Sequence, residues 1–180
     1  GSMSARVIMV ASGKGGTGKS TVSVLTGAAL AARGRRVLLV ELDSALRSVD
    51  YIAGVYGKTV YDVEDVLCGR CDAGKALVES PLYPGLFVIS APYSGGQVAA
   101  GALQSFLQQA GGVFDDIVLD TAAGMGAPFE AARAAASLAL ICITPDPVAQ
   151  RDGRIVCDAL LEGGCEQVRL VINKVPRTLA

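Results

Sequence analysis

Gly13-Lys14-Gly15-Gly16-Thr17-Gly18-Lys19-Ser20 fits the pattern G-x-x-x-x-G-K-[ST], the phosphate-binding loop that joins a strand to a helix. Its flanks agree with that reading. Residues 6–12 (Arg-Val-Ile-Met-Val-Ala-Ser) form a short apolar run, read as a buried strand. Thr21 to Ala32 reads as a helix, with Val22, Leu25, Ala28, Ala29 and Ala32 on its apolar face. Gly34 stands where a helix C-terminal cap is expected. The residue types follow from the chemistry. Glycines let the backbone approach a phosphate closely. Backbone N–H groups and the helix N-terminus cradle the anion. Lys19 brings charge to the outer phosphates, and Ser20 offers a hydroxyl to Mg²⁺.

Working outward, apolar runs alternate with helical patterns. The strand candidates are 6–12, 36–42, 86–90, 116–121, 138–144 and 167–173. They are apolar on both faces, as buried parallel strands are. Helices are expected from Val98 to Ala110, with Ala99, Leu103, Phe106, Leu107 and Ala110 on one face, and from Val148 to Leu161. Such alternation predicts an α/β three-layer sandwich around a mostly parallel sheet. Ligands of such sheets lie at the carboxyl ends of the strands.

Three strand ends carry chemistry. Asp43 follows the second strand; it either orients an attacking water or holds Mg²⁺ through water, or it caps the next helix. Asp120 ends the fourth strand and precedes Thr121-Ala122-Ala123-Gly124. An Asp there suits a metal partner, and Gly124 lets its loop near the outer phosphate. Asn173 follows the sixth strand, where its amide either contacts a purine edge or makes a turn.

Composition narrows the field. The 180 residues are 51% hydrophobic, enough for one domain with a sizeable core. With 16 basic and 17 acidic residues the net charge is −1, so no electrostatic footprint for nucleic acid is expected. There is no histidine, which excludes histidine triads and histidine metal sites. Residues 1–3 read as an expression scar, leaving 4–180 as a single domain. No apolar run approaches membrane-span length, and a cytoplasmic protein is expected. Cys68-Gly-Arg-Cys71 is a C-x-x-C without a second pair at zinc-site spacing. Cys142 reads as a small buried hydrophobe.

Lys14 gives the loop a second lysine, K-G-G-T-G-K-S, which resembles the deviant Walker A motif of the MinD/ParA family. The resemblance covers nearly the whole chain. Leu46-Arg47-Ser48-Val49-Asp50 is similar to the first-switch segment of the MinD branch, and Val60-Tyr61-Asp62 to the segment beyond it. Asp120 to Gly124 resembles the second switch, and Pro145-Asp146 with Arg151-Asp152 the loop and helix at the dimer face. Three features depart from the pattern: Glu41 replaces an Asp, Ala45 and Ser48 replace a Gly and an Asn, and the chain stops at Ala180.

The resemblance implies a P-loop ATPase with Mg²⁺ and ATP/ADP as cofactors. Lys14, Lys19 and Asp43 would be catalytic, Lys14 acting on the partner's phosphates in an ATP-bound homodimer. Nucleotide would be held by Gly13, Lys14, Gly15, Gly16, Thr17, Gly18, Lys19, Ser20, Thr21, Gly124, Asp146 and the adenine-contacting Asn173. Mg²⁺ would sit on Ser20, with Asp120 and Asp43 acting through water. The implied role is placement of the division septum with MinC- and MinE-like partners. Siblings serving chromosome segregation, flagellar number or iron–sulfur carriage, and a non-hydrolysing scaffold, are the alternatives. The expected place is the cytoplasm, peripheral at the inner membrane face when ATP is bound. Membrane contact there belongs to a C-terminal amphipathic helix with no counterpart in these residues, so the domain is expected to be incomplete at its C-terminus.

Overall fold

A computed structural model describes residues 5–15, 17–44, 47–94 and 99–173. Gly16, Ala45, Leu46 and Val98 therefore lie outside the described residues. Among the described residues, seven strands form one sheet in the order β3-β4-β2-β5-β1-β6-β7. They are β1 (Arg6–Ala11), β2 (Val37–Glu41), β3 (Val78–Glu79), β4 (Leu86–Ile89), β5 (Asp116–Asp120), β6 (Leu138–Ile143) and β7 (Gln167–Ile172). All pair in parallel except β3, which runs antiparallel to β4. The helices are α1 (Lys19–Ala32), α2 (Ser48–Ile52), α3 (Val63–Leu67), α4 (Ala73–Ala76), α5 (Ala100–Ala110), α6 (Ala127–Ala135) and α7 (Pro147–Glu162). The six strands expected from apolar runs are all present, each shorter by one or two end residues.

Alternate residues of each strand enter opposite layers. On one face Leu38, Val40, Ile117, Leu119 and Ile141 pack with Leu103, Phe106 and Leu107 of α5, Phe129 of α6, and Val156 and Leu160 of α7. On the other face Val37, Leu39, Val118, Val10 and Cys142 meet Val24 and Ala31 of α1 and Val49 of α2. Each large side chain so buried contributes roughly 1.5–3 kcal/mol. The result is the three-layer α/β sandwich that the strand–helix alternation predicts.

The face of α1 is a correction. The expected apolar face has Leu25 half-exposed and Ala29 and Ala32 turned to solvent. The sheet instead receives Ser20, Ser23, Val24, Gly27 and Ala31. Small residues are required because the helix lies so close: a Cβ on Gly27 would come within 2.8 Å of Leu86 Cδ1. Polar ones are required because this face also meets the strand-end carboxylate of β5. Gly34, at φ 83°, takes the left-handed turn just past α1 and donates its N–H to Ala31 O.

Candidate functional site

The site lies where β1, β2 and β5 end. Gly18, at φ 78°, turns the chain into α1 and offers no side-chain cap, and the first turn carries no acidic residue. The helix N-terminus is thereby left as a positive end suited to an anion. Ser12, Gly15, Thr17, Gly18, Lys19, Ser20, Thr21, Asp43, Ser48, Ile52 and Ala123 enclose a cavity of about 220 Å³.

Asp120 is the hub at the base of this site. It is fully buried. Its Oδ1 accepts from Lys19 Nζ at 2.8 Å and from Ser23 Oγ at 2.6 Å, and its Oδ2 accepts from Ser20 Oγ at 3.2 Å. Ser23 also donates to Lys19 O at 3.1 Å. β2 is not beside β1, since β5 stands between them. Asp43 nevertheless reaches Lys19, with its Oδ2 3.9 Å from the ammonium. Two carboxylates thus face one lysine, and Lys19, Ser20, Asp43 and Asp120 converge as the sequence predicts.

Two buried hydroxyls face the same cavity. Ser12 Oγ and Thr17 Oγ1 have no hydrogen-bond partner among the described residues. Buried polar atoms are normally paired, and a phosphate oxygen would satisfy them.

The other residues named from the sequence fall around this centre. Gly13 is packed on α7, where a Cβ would lie 2.5 Å from Asp152 Cβ. Lys14 turns away from the cavity lining and its Nζ lies 3.5 Å from Asp146 Oδ1. Asp146 caps α7 by accepting from Ala149 N at 2.8 Å. Hydrogen bonds from Thr144 and Ala149 hold its carboxyl down at about 2, with Lys14 adding to the effect. Asn173 donates its amide to Thr17 O at 3.0 Å and lies against Gly18, bracing the phosphate loop from behind. Gly124, at φ 87°, gives its N–H to Ser12 O at 2.9 Å.

Glu41 turns toward α2 and accepts from Val49 N at 2.9 Å and Ala91 N at 3.3 Å. Burial pushes its carboxyl up to about 8. Burial likewise raises the Cys142 thiol to about 12, marking it as an inert hydrophobe.

Sequence reasoning missed Ser12 and Ser23. Ser23 lies one turn beyond Lys19, a spacing that puts both on one helix face. A lone serine carries no periodic signal that would have singled it out.

Residues 8–179 match the family model described as the CobQ/CobB/MinD/ParA nucleotide binding domain. The septum site-determining protein MinD of Synechocystis sp. is 37% identical over 172 residues, 94% of this chain and 65% of that protein. The chain thus spans about two thirds of that relative's length. Among solved structures, the MinD cell division protein of Aquifex aeolicus has a TM-score of 0.82 at 32% identity, covering 95% of this chain and 70% of that one. A MinC:MinD cell division protein complex from the same organism gives a TM-score of 0.85 at 32% identity, covering 95% and 69%. By its phosphate loop, its sheet and these likenesses, the chain belongs to the CobQ/CobB/MinD/ParA nucleotide-binding family, and within it to the MinD group of P-loop proteins.

Proposed function

We propose that this chain is the nucleotide-binding domain of a MinD-type ATPase. It would bind Mg·ATP, dimerise, hydrolyse the terminal phosphoanhydride and serve in placing the division septum. The observation that carries this reading is the convergence of Lys19, Ser20, Asp43 and Asp120 at a cavity also lined by Ser12 and Thr17, whose hydroxyls have no partner among the described residues.

Each group has a role in this reading. The glycine loop and the open first turn of α1 bind the phosphates. Lys19, held between Asp120 and Asp43, supplies the cationic donor to the outer phosphate oxygens. Ser20 Oγ and the Asp120 carboxylate are hard oxygen donors of the kind Mg²⁺ prefers, and they would hold the ion there. When bound, it neutralises charge on the phosphates. Asp43, buried in the wall of the cavity, would orient the attacking water. Lys14 would leave Asp146 and contact the phosphates of the partner protomer in the ATP-bound dimer.

Partnership with MinC-like and MinE-like proteins belongs to the same proposal, supported by the likeness to the chain of a MinC:MinD complex. So does attachment of the whole protein to the inner membrane face when ATP is bound. No helix among the described residues is long and apolar enough to cross a membrane.

The test is titration calorimetry with Mg·ATP on the wild type and on Lys19→Ala. Binding to the wild type and its loss in the variant are expected. Equal affinity in both would remove the basis of the reading.

A further inference from the structure

Arg47 is the one residue besides glycine among the described residues with a left-handed backbone, at φ 50°. A Cβ disfavours that conformation, so the surroundings must hold it there. They do so from several sides. Arg47 N donates to Asp43 O at 3.3 Å. Its guanidinium donates to Ala91 O at 2.5 Å and to Asp50 Oδ2 at 3.3 Å. The same group lies over the Tyr93 ring, 4.0 Å from Cζ to the ring centroid, well within cation–π range.

Each anchor is itself anchored. Asp50 Oδ1 accepts from Ser90 Oγ at 2.7 Å. Tyr93 N donates to Asp62 Oδ2 at 2.7 Å, and the Tyr93 hydroxyl donates to Thr59 O at 3.2 Å. Asp62 caps α3. Arg47 therefore ties the segment that follows Asp43 to the ends of β4 and α3. Its neighbours in that segment, Asp43 and Ser48, both line the phosphate cavity.

We propose that Arg47 is a positioning residue: its clamp on Ala91, Asp50 and Tyr93 fixes where the Asp43 carboxylate stands in the phosphate cavity. The inference rests on the ATPase reading. The clamp touches neither the glycine loop nor Lys19, so its loss should move the hydrolytic step and spare nucleotide binding. A carboxylate displaced by about 1 Å can cost up to about a hundredfold in rate.

The test uses Arg47→Ala, Arg47→Lys, Tyr93→Leu and Tyr93→Phe in the protein, with steady-state Mg·ATP hydrolysis and calorimetry. Arg47→Ala and Tyr93→Leu are expected to lower kcat by about tenfold or more, with KM and nucleotide affinity within about twofold. Arg47→Lys keeps the charge without the planar fork and should fall between. Tyr93→Phe keeps the ring and should restore most of the rate. Limited trypsin digestion gives a readout independent of turnover, because cleavage after Arg47 requires the clamp to open. Cleavage there should be faster in Tyr93→Leu than in Tyr93→Phe. Equal cleavage in those two variants, unchanged kcat in Tyr93→Leu, or loss of kcat and affinity together would overturn the inference. A wild type that binds Mg·ATP but does not turn it over would instead sink the ATPase reading, while the digestion still decides the clamp.

Discussion

Lys14 is held by Asp146 of its own chain, its ammonium 3.5 Å from the carboxylate that caps α7. The lysine proposed to act on a partner's phosphates is thus docked at home in the single protomer. This contact is half-exposed at both ends, and such pairs are weak, so release costs little. Lys14→Ala should bind Mg·ATP with near wild-type affinity yet remain monomeric. Light scattering with Mg·ATP decides it: normal dimerisation of the variant would reduce Lys14 to an ordinary loop residue.

The same carboxylate gives a pH dependence. Asp146 lies near 2 in the folded chain against an ordinary 3.8, held down by Thr144 and Ala149. A depressed carboxyl contributes stability above its unfolded value and loses it as the pH falls through the folded one. The contribution should be complete above about pH 4 and disappear toward pH 2. Asp146→Asn keeps a capping oxygen without the titration. Its melting temperature should therefore fall less than that of the wild type across this window. Parallel curves for the two proteins would show that the cap is not titrating there.

Ser23 Oγ donates to the buried Asp120 side chain that Lys19 also contacts, a hydrogen bond of the class worth about 1.5–3 kcal/mol. Ser23→Ala should lower the unfolding free energy by about that amount in urea. The remaining partners of Asp120, Lys19 and Ser20, would hold its charge. A loss under about 0.5 kcal/mol would mean that Ser23 is a bystander.

Two helical glycines should respond in opposite ways. On Gly27 a side chain meets Leu86 and Val37 in the packed layer, so Gly27→Val should cost about 1–3 kcal/mol. On Gly101, in α5, a Cβ meets nothing within 4 Å. There Gly101→Ala should stabilise by up to about 1 kcal/mol through helix propensity. Denaturation midpoints that shift alike in both variants would contradict the close approach of α1 to the sheet.

Much of the fold could be read from the chain because its strands are buried on both faces. Runs such as Val37-Leu38-Leu39-Val40 admit few other structures. What failed was the rule that a helix turns its oil inward. In α1 the inward face must serve Asp120 and must come close, so Ser23 and Gly27 displace Leu25 to solvent. The short α2, α3 and α4 and the two-residue β3 are too brief to show a period. At the site, Lys19, Ser20, Asp43 and Asp120 were legible because each occupies a fixed offset from a strand end. Ser12, a lone serine just past the end of β1, carries no periodic signal, and the contacts of Ser23 with Asp120 and of Tyr93 with Arg47 depend on which segments the fold brings together, which no local pattern records.

Asp120 ends β5, the middle strand of the seven, with β2 on one side and β1 on the other. Amides there open to solvent only when much of the sheet comes apart, whereas those of peripheral loops open alone. Deuterium should accordingly enter residues 116–120 last, and more slowly still with Mg·ATP bound, because a ligand held only by the folded chain makes the opened sheet rarer. Local protection by nucleotide should be greatest in the phosphate loop and the first turn of α1, which line the cavity, so the loop reports binding directly and the floor reports it through the stability of the whole sheet.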